Sequence, residues 1–156
     1  PTRVPGSFRG LGAGAAHTCG ISGEETYCWG DNGFGQLGDG GSQDRSAPAP
    51  VQGLPGPARA LAAGAVHTCA LLNDGSAYCW GQNLHGQLGN GTTESSATPV
   101  AVSGDLRFVS VYAGGGVTCG FAEDGSQYCW GINQGGQLGD GTRTNRSAPA
   151  RVGGRG

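Results

Sequence analysis

One block of residues recurs at an interval of 50, and that period constrains the fold more than any other feature of the chain. Gly14-Ala-Ala-His17-Thr18-Cys19 aligns with Gly64-Ala-Val-His67-Thr68-Cys69 and with Gly114-Gly-Gly-Val117-Thr118-Cys119. Each unit continues with Tyr-Cys-Trp-Gly, at Tyr27 to Gly30, Tyr78 to Gly81 and Tyr128 to Gly131. Gly-Gln-Leu-Gly-x-Gly follows, at Gly35 to Gly40, Gly86 to Gly91 and Gly136 to Gly141. A Pro (Pro48, Pro99, Pro149) and then a Val (Val51, Val102, Val152) close each unit. A period of this size in a β-rich pattern specifies propeller blades or a solenoid.

The period also explains a composition that would otherwise describe a disordered chain. Of 156 residues, 34 are Gly and 8 are Pro, which excludes a helical protein and needs a repeat to organise it. Arginine supplies every basic side chain, since Lys is absent, and the net charge is −2. No basic block is present to neutralise a phosphate backbone, so no nucleic-acid partner is expected. No apolar run approaches the 18 or so residues of a membrane span, so no membrane association is expected either. The chain opens on Pro1 and contains no Met, and Pro1-Thr2-Arg3-Val4 repeats the closing element Pro149-Ala150-Arg151-Val152. The expectation is a segment of a longer array.

Within a unit, short strand signals alternate with turn chemistry: Arg59 to Ala63, Ala65 to Leu72, then Asn73-Asp74-Gly75, Ser76 to Trp80, and Thr98 to Val102. The reading is all-β, with four antiparallel strands per unit. Residues 1–10 are taken as the tail strand of a preceding repeat, and residues 11–58, 59–106 and 107–156 as three blades. A four-stranded sheet of this kind cannot bury both faces alone, so the blades must stack.

These motifs, Gly-x-x-His-Thr-Cys, Tyr-Cys-Trp-Gly-x-Asn, Gly-Gln-Leu-Gly-x-Gly and Pro-x-x-Val, resemble the repeats of the regulator of chromosome condensation family, three times over and across nearly the whole chain. The resemblance implies a propeller, usually a ring of seven blades, of which three units supply an arc. Guanine nucleotide exchange, one activity in the family, requires a complete ring with a protruding element that is not visible here. The ultraviolet-B photoreceptor branch carries a Trp after the first Gly of each unit, where this chain has Ala15, Ala65 or Gly115.

Six Cys fall as one pair per unit. If Asn73-Asp74-Gly75 forms a three-residue loop with Gly75 in the left-handed region, Leu72 faces Ser76 and Cys69 falls opposite Cys79. Cys119 and Cys129 count identically across Glu123-Asp124-Gly125. The first unit is one residue shorter, but a two-residue Gly23-Glu24 turn again places Cys19 opposite Cys28. Each pair sits at a non-hydrogen-bonded position, where side chains approach most closely, within reach of a disulfide. Such a bridge stabilises by roughly 2.5–3 kcal/mol in the chain-entropy model; the alternative reading is buried free thiols that fill positions on a small blade. A bridge also implies an oxidising compartment, hence an extracellular or cell-surface address. The crinkly-type receptor kinases of plants carry a similar Cys-bearing version of the repeat. Zinc is not expected, because no Cys-x-x-Cys spacing occurs.

No catalytic motif is present, and neither cofactor nor metal is expected. His17 and His67 share one aligned position and are read as core histidines hydrogen-bonded within their sheets, since Val117 replaces them in the third unit. His85 is read as a solvated loop residue. Trp29, Trp80 and Trp130 are read as rings packed between blades. Asp39, Asn90 and Asp140 lie beside Asp31, Gln82 and Ile132, which vary too much for a repeated calcium site. Asn90-Gly91-Thr92 and Asn145-Arg146-Ser147 are candidate N-glycosylation acceptors.

The functional expectation is a secreted or cell-surface protein-interaction scaffold, not an enzyme. Its protein partner binds the loops that differ between units, Gln43 to Ala47, Glu94 to Ala97 and Arg143 to Arg146, together with Asp31 to Phe34, Gln82 to His85 and Ile132 to Gly135. Two alternatives accompany it. One is a structural protomer that self-associates through open blade faces into a ring or filament. The other is an enzyme inhibitor, as found in a secreted bacterial β-lactamase inhibitor of this family.

Overall fold

The computed structural model describes residues 3–153. Its twelve strands form three sheets of four, and no helix occurs among the described residues. The first sheet is β1 (Arg9–Ala13), β2 (His17–Ser22), β3 (Glu25–Gly30) and β4 (Arg45–Pro50). The second is β5 (Ala58–Ala63), β6 (His67–Leu72), β7 (Ala77–Gly81) and β8 (Ser96–Ala101). The third is β9 (Phe108–Gly114), β10 (Val117–Ala122), β11 (Gln127–Gly131) and β12 (Arg146–Arg151). In every sheet the strands lie in chain order and run antiparallel, as in a propeller blade. Of the tail element at the start of the chain, Pro1 and Thr2 lie outside the described residues, and Arg3 and Val4 belong to no strand. Arg9 and Gly10 open the first sheet.

Turn chemistry sets the register of each central hairpin. Leu72 and Ser76 close the loop, with the Leu72 N–H donating to Ser76 O at 2.9 Å. Gly75 sits at φ +85°, a conformation that costs a residue without Cβ nothing. Counting outward pairs Cys69 with Cys79. In the shorter first hairpin Ser22 pairs with Glu25, and Cys19 again meets Cys28. All six cysteines are joined as disulfides, Cys19 to Cys28, Cys69 to Cys79 and Cys119 to Cys129. Their Cα atoms lie 4.0 to 4.1 Å apart, the close spacing of non-hydrogen-bonded partners. The last strand of each sheet tolerates its prolines because it is an outer edge, where a missing N–H removes no ladder bond.

The core lies between sheets. Ile21 and Leu37 of the first blade bury themselves against Ala58, Ala70, Leu72 and Trp80 of the second. Leu71 and Ala77 of the second meet Phe108, Ala122 and Trp130 of the third. The second blade is thus covered on its incoming face by the first blade and on its outgoing face by the third. The innermost strands β1, β5 and β9 run side by side.

Candidate interaction surface

Two sets of residues shape the surface. One holds the blades to each other, and the other holds the long loops that follow β3, β7 and β11. The junctions come first because they fix where those loops stand.

At the junction of the first and second blades, the carbonyl of Gln36 accepts two hydrogen bonds from the next blade. Trp80 Nε1–H donates at 2.9 Å and Thr68 Oγ1–H at 2.8 Å. Because the Thr68 proton is spent on Gln36, its oxygen accepts from His17 Nε2–H at 2.9 Å. The second junction repeats this with Trp130, Thr118, Gln87 and His67, at 3.0, 2.8 and 2.8 Å. Gly38 and Gly89 lie under the indoles of Trp80 and Trp130, where a Cβ would come within 2.5 to 2.7 Å of Nε1. The histidines thus reach across to the next blade rather than within their own sheet as expected. The reason is that their ring nitrogens point along the stacking direction, toward a Thr 51 residues away.

Both histidines are neutral. Burial, with the neighbouring His17 ring adding to it, pushes the His67 pKa down to about 4. Burial also lowers that of His17, although Asp31 opposes the shift. The Nε2–H tautomer leaves each Nδ1 buried without a partner, so a second ring proton has no acceptor.

The third blade has Val117 in place of the histidine, and among the described residues no sheet stands before the first blade or after the third. Trp80 and Trp130 are fully buried, whereas Trp29 is half-buried and rests on Phe8 at 5.3 Å between ring centroids. Of the three tryptophans expected between blades, two stand there.

Each long loop is tied to one buried asparagine. Asn32, fully buried, donates from Nδ2 to Asp39 Oδ1, Gly41 O and Gln43 O at 3.0 to 3.2 Å, and accepts from the Leu37 N–H at 3.0 Å. Asn83 binds Asn90, Thr92, Glu94 and Leu88 in the same pattern. Asn133 does so with Asp140, Thr142, Thr144 and Leu138. The sequence shows these asparagines in its consensus, but among so many glycines they read as turn residues. Their signal is identity in all three units at a position that is neither Gly nor apolar.

This scaffold accounts for the other polar residues of the loops. Asp39 and Asp140 pair with Arg45 and Arg146 at 3.0 and 2.7 Å. Burial alone would raise the Asp39 pKa, but the Gly41 N–H, Arg45 and Asn32 outweigh it and hold the carboxyl below its ordinary range. Asp140 is lowered in the same way: burial is outweighed by Thr142, Arg146 and Asn133. Asn90 Oδ1 accepts from Thr92 N–H and Oγ1–H at 3.2 and 2.9 Å. Asn145 Oδ1 accepts from the Asn133 N–H at 2.8 Å. Both candidate glycosylation acceptors are therefore half-buried loop anchors. His85, expected to be solvated, is half-buried too, and its Nδ1 lies 3.4 Å from Asn145 Nδ2 of the next blade. No group of three or more His, Cys, Asp or Glu side chains that could hold a metal ion occurs among the described residues.

What these anchors leave outside is the part that varies. Residues 43–47, 94–95 and 143–144 are exposed, and two large apolar side chains stand in the open, Phe34 at 45% and Leu84 at 63% exposure. By the antiparallel topology all three loops leave the same end of their sheets, opposite the disulfide hairpin turns. A separate groove of about 530 Å³ lies at the hairpin end, lined in part by Glu24, Glu25, Tyr27, Pro50 and Pro55. There Tyr27 Oη–H donates to Glu25 Oε2 at 2.6 Å.

The model of the regulator of chromosome condensation (RCC1) repeat matches residues 24–71, 74–120 and 124–156, and a second RCC1 repeat model matches residues 58–87. The matched segments begin at the hairpin turn before β3 or its counterpart, so the first two each join half of one sheet to half of the next. The chain is 40% identical over 89 residues to the ultraviolet-B receptor UVR8 of Arabidopsis thaliana, covering 55% of this chain and 20% of that protein. It is 31% identical over 93 residues to the human E3 ubiquitin-protein ligase HERC2, covering 57% and 2%. The crystal structure of Prp20p from Saccharomyces cerevisiae, described with its binding properties to Gsp1p and histones, superposes with a TM-score of 0.84 at 24% identity, over 95% of this chain and 39% of that one. The chain thus spans less than half the length of each.

Proposed function

The chain belongs to the regulator of chromosome condensation (RCC1) repeat family, and from that premise we propose that it is a non-enzymatic protein-interaction scaffold whose variable loops bind a protein partner. One observation carries the reading: the loops that differ in sequence are those pinned by Asn32, Asn83 and Asn133, with Phe34 and Leu84 exposed on them. A rigid frame presenting exposed apolar anchors matches the anatomy of protein-binding surfaces. Protein binding is also what is described for Prp20p. The three disulfides support an oxidising compartment, and with it a secreted or cell-surface address.

A photo-crosslinking residue at position 34 or 84, compared with one at Glu24 on the opposite end, tests this reading. The expected result is capture of one and the same protein from positions 34 and 84 but not from 24, with capture lost to competition by unlabelled wild type and retained against the double variant Phe34→Asp, Leu84→Asp. Capture from all three positions alike would overturn it. A captured enzyme whose activity falls on binding would select the inhibitor alternative.

A further inference from the structure

A linker rich in proline, Pro50-Val-Gln-Gly-Leu-Pro55-Gly-Pro57, leads from β4 into β5. The groove of about 530 Å³ lies between this linker and the β2–β3 hairpin. A smaller cavity of about 180 Å³ flanks the same linker on the side of the second hairpin turn, where Leu72, Asn73 and Asp74 line it. Every wall belongs to residues 24–27, 50–57 or 72–74, so both cavities are built from the interior of the chain. The hairpin end also stays open when a blade is covered. In the second blade, against which the first one packs, Ser76 and Tyr78 stand at the positions of Glu25 and Tyr27 and are still partly exposed.

The groove is lined with acceptors. Glu24 and Glu25 are exposed carboxylates, and Glu25 meets Tyr27 Oη–H with Oε2 alone, which leaves Oε1 available. Among the described residues the carbonyls of Gly53, Leu54, Pro55 and Gly56 accept no hydrogen bond, and Pro55 and Pro57 have no N–H to offer. No basic side chain of the described residues lines either cavity. The cations nearby are Arg9, which donates to Gly23 O at 3.2 Å, and Arg107, beside Asp74. The decisive group is Thr26. It belongs to the lining of the groove and is only 4% exposed, yet its Oγ1 has no hydrogen-bond partner among the described residues. A buried hydroxyl left unpaired costs stability, and the repeat offers an apolar alternative at the same register: Ala77 lies opposite Leu71 as Thr26 lies opposite Ile21. The first blade therefore keeps a polar atom that packing does not require.

We propose that this groove binds an arginine side chain of a partner peptide. A guanidinium brings five N–H donors and no acceptor, the complement of a lining that offers carboxylates, free carbonyls and one unpaired hydroxyl. Its planar fork matches a carboxylate such as Glu25, Thr26 Oγ1 and the linker carbonyls take the remaining protons, and the Tyr27 ring and the prolines suit its flat faces. A lysine ammonium, a compact charge with three donors, fills fewer of these acceptors. Asp74, in the cavity on the other side of the same linker, continues the acidic path, which fits an extended segment better than a free amino acid. The proposal goes beyond the loop surface and is independent of it. A protein crosslinked from position 24 that differs from the one captured at positions 34 and 84 agrees with both readings.

Titration of the isotope-labelled chain with a blocked peptide, Arg at its centre and Gly on both sides, tests the proposal through amide chemical shifts. The expected result is movement of the amides of residues 24–27 and 51–56, with those of the loop at residues 39–45 unmoved. The citrulline version, neutral but of the same shape, should bind roughly tenfold more weakly or not at all, and the Lys version should fall between the two. Glu25→Gln, at an exposed position, should weaken the Arg peptide roughly tenfold. Thr26→Val should do the same through the loss of one hydrogen bond to a charged group. That variant should nevertheless melt no lower than wild type, because it removes only an unpaired hydroxyl. A Thr26→Val chain that melts lower and binds the peptide unchanged would make the hydroxyl structural and overturn the proposal. So would equal binding of the Arg and citrulline peptides, Lys binding as tight as Arg, shifts centred outside the groove, or no binding. None of these results touches crosslinking at positions 34 and 84, so failure here and failure of the loop surface are distinguishable.

Discussion

His67 donates from Nε2 to Thr118 Oγ1 across 2.8 Å, from one blade to the next, while its Nδ1 is buried without a partner. One proton on this ring belongs to the blade junction, and a second has nowhere to go. The relationship makes the junction sensitive to acid in a defined direction.

The folded His67 pKa lies near 4 against an ordinary value of 6.5, so the unfolded chain binds the proton first as pH falls. Above pH 6.5 both states are neutral and stability is flat. Between about 6.5 and 4 it is lost, by about 3 kcal/mol for this residue. His17, lowered for the same reason, adds to the loss. Asp39 and Asp140 are depressed carboxylates, whose contribution is present above the unfolded carboxylate pKa and is lost only at lower pH, so the histidine window stands apart. Denaturant unfolding from pH 7.5 to 4.5 measures it, and His67→Gln should flatten most of the slope. An unchanged slope in that variant would remove His67 as its source.

The tryptophans should divide by position. Trp80 fills the first junction and donates to Gln36, and Trp80→Ala should cost about 3–5 kcal/mol. Trp29, half-buried on the incoming face, should cost about 1 kcal/mol when replaced by Ala in the monomer. Equal losses in thermal unfolding would show that Trp29 is packed as fully as the others.

How far the sequence reaches is visible in the same residues. The strands and the Cys pairing were legible because strand periodicity and turn length fix a hairpin locally: Gly75 alone determines that Cys69 meets Cys79. The partners of His17 and His67 were not legible. A repeat read one unit at a time shows only neighbours within the sheet, and the Thr that each histidine binds lies one period further on. Asn32 was hidden differently. Its four partners are spread over a loop whose composition reads as turn, so nothing local distinguishes a buried hub from a solvated Asx turn. Trp29 follows the repeat pattern perfectly and is only half-buried because of its place in the order of blades.

The asparagine hubs should couple loop order to binding. Asn83→Ala strips the Leu88 N–H and the carbonyls of Thr92 and Glu94 of their buried partner, at a cost of roughly 2–4 kcal/mol. Hydrogen exchange should show amides of residues 88–95 losing protection while the β6–β7 hairpin keeps its own. Crosslinking from position 84 should fall in parallel. Protection lost evenly through the blade would mean that the hub supports the fold as a whole rather than its loop.

The disulfides should contribute separately to each blade. Replacing both Cys69 and Cys79 by Ala removes a staple worth roughly 2.5–3 kcal/mol in the chain-entropy model and leaves a cavity behind two fully buried side chains. Melting of that variant should fall well below wild type, and reduction of the wild type should lower it further by opening the other two bridges. A non-reduced digest should return only the three links Cys19–Cys28, Cys69–Cys79 and Cys119–Cys129. A link between blades would contradict the register of every hairpin.

The third unit has kept the cradle for a side chain it no longer carries. Gly14 and Gly64 sit so close to the His17 and His67 rings that a Cβ on either would collide with imidazole, and the equivalent Gly114 is still glycine although Val117 has replaced the histidine. Val117→His should therefore be accommodated without steric cost, with its Nε2–H directed toward the outgoing face. Among the described residues it meets no partner, so thermal stability should change by less than about 1 kcal/mol. A loss well beyond that in thermal unfolding would mean that the ring does not fit beside Gly114, and the equivalence of this cradle with those formed at Gly14 and Gly64 would fail.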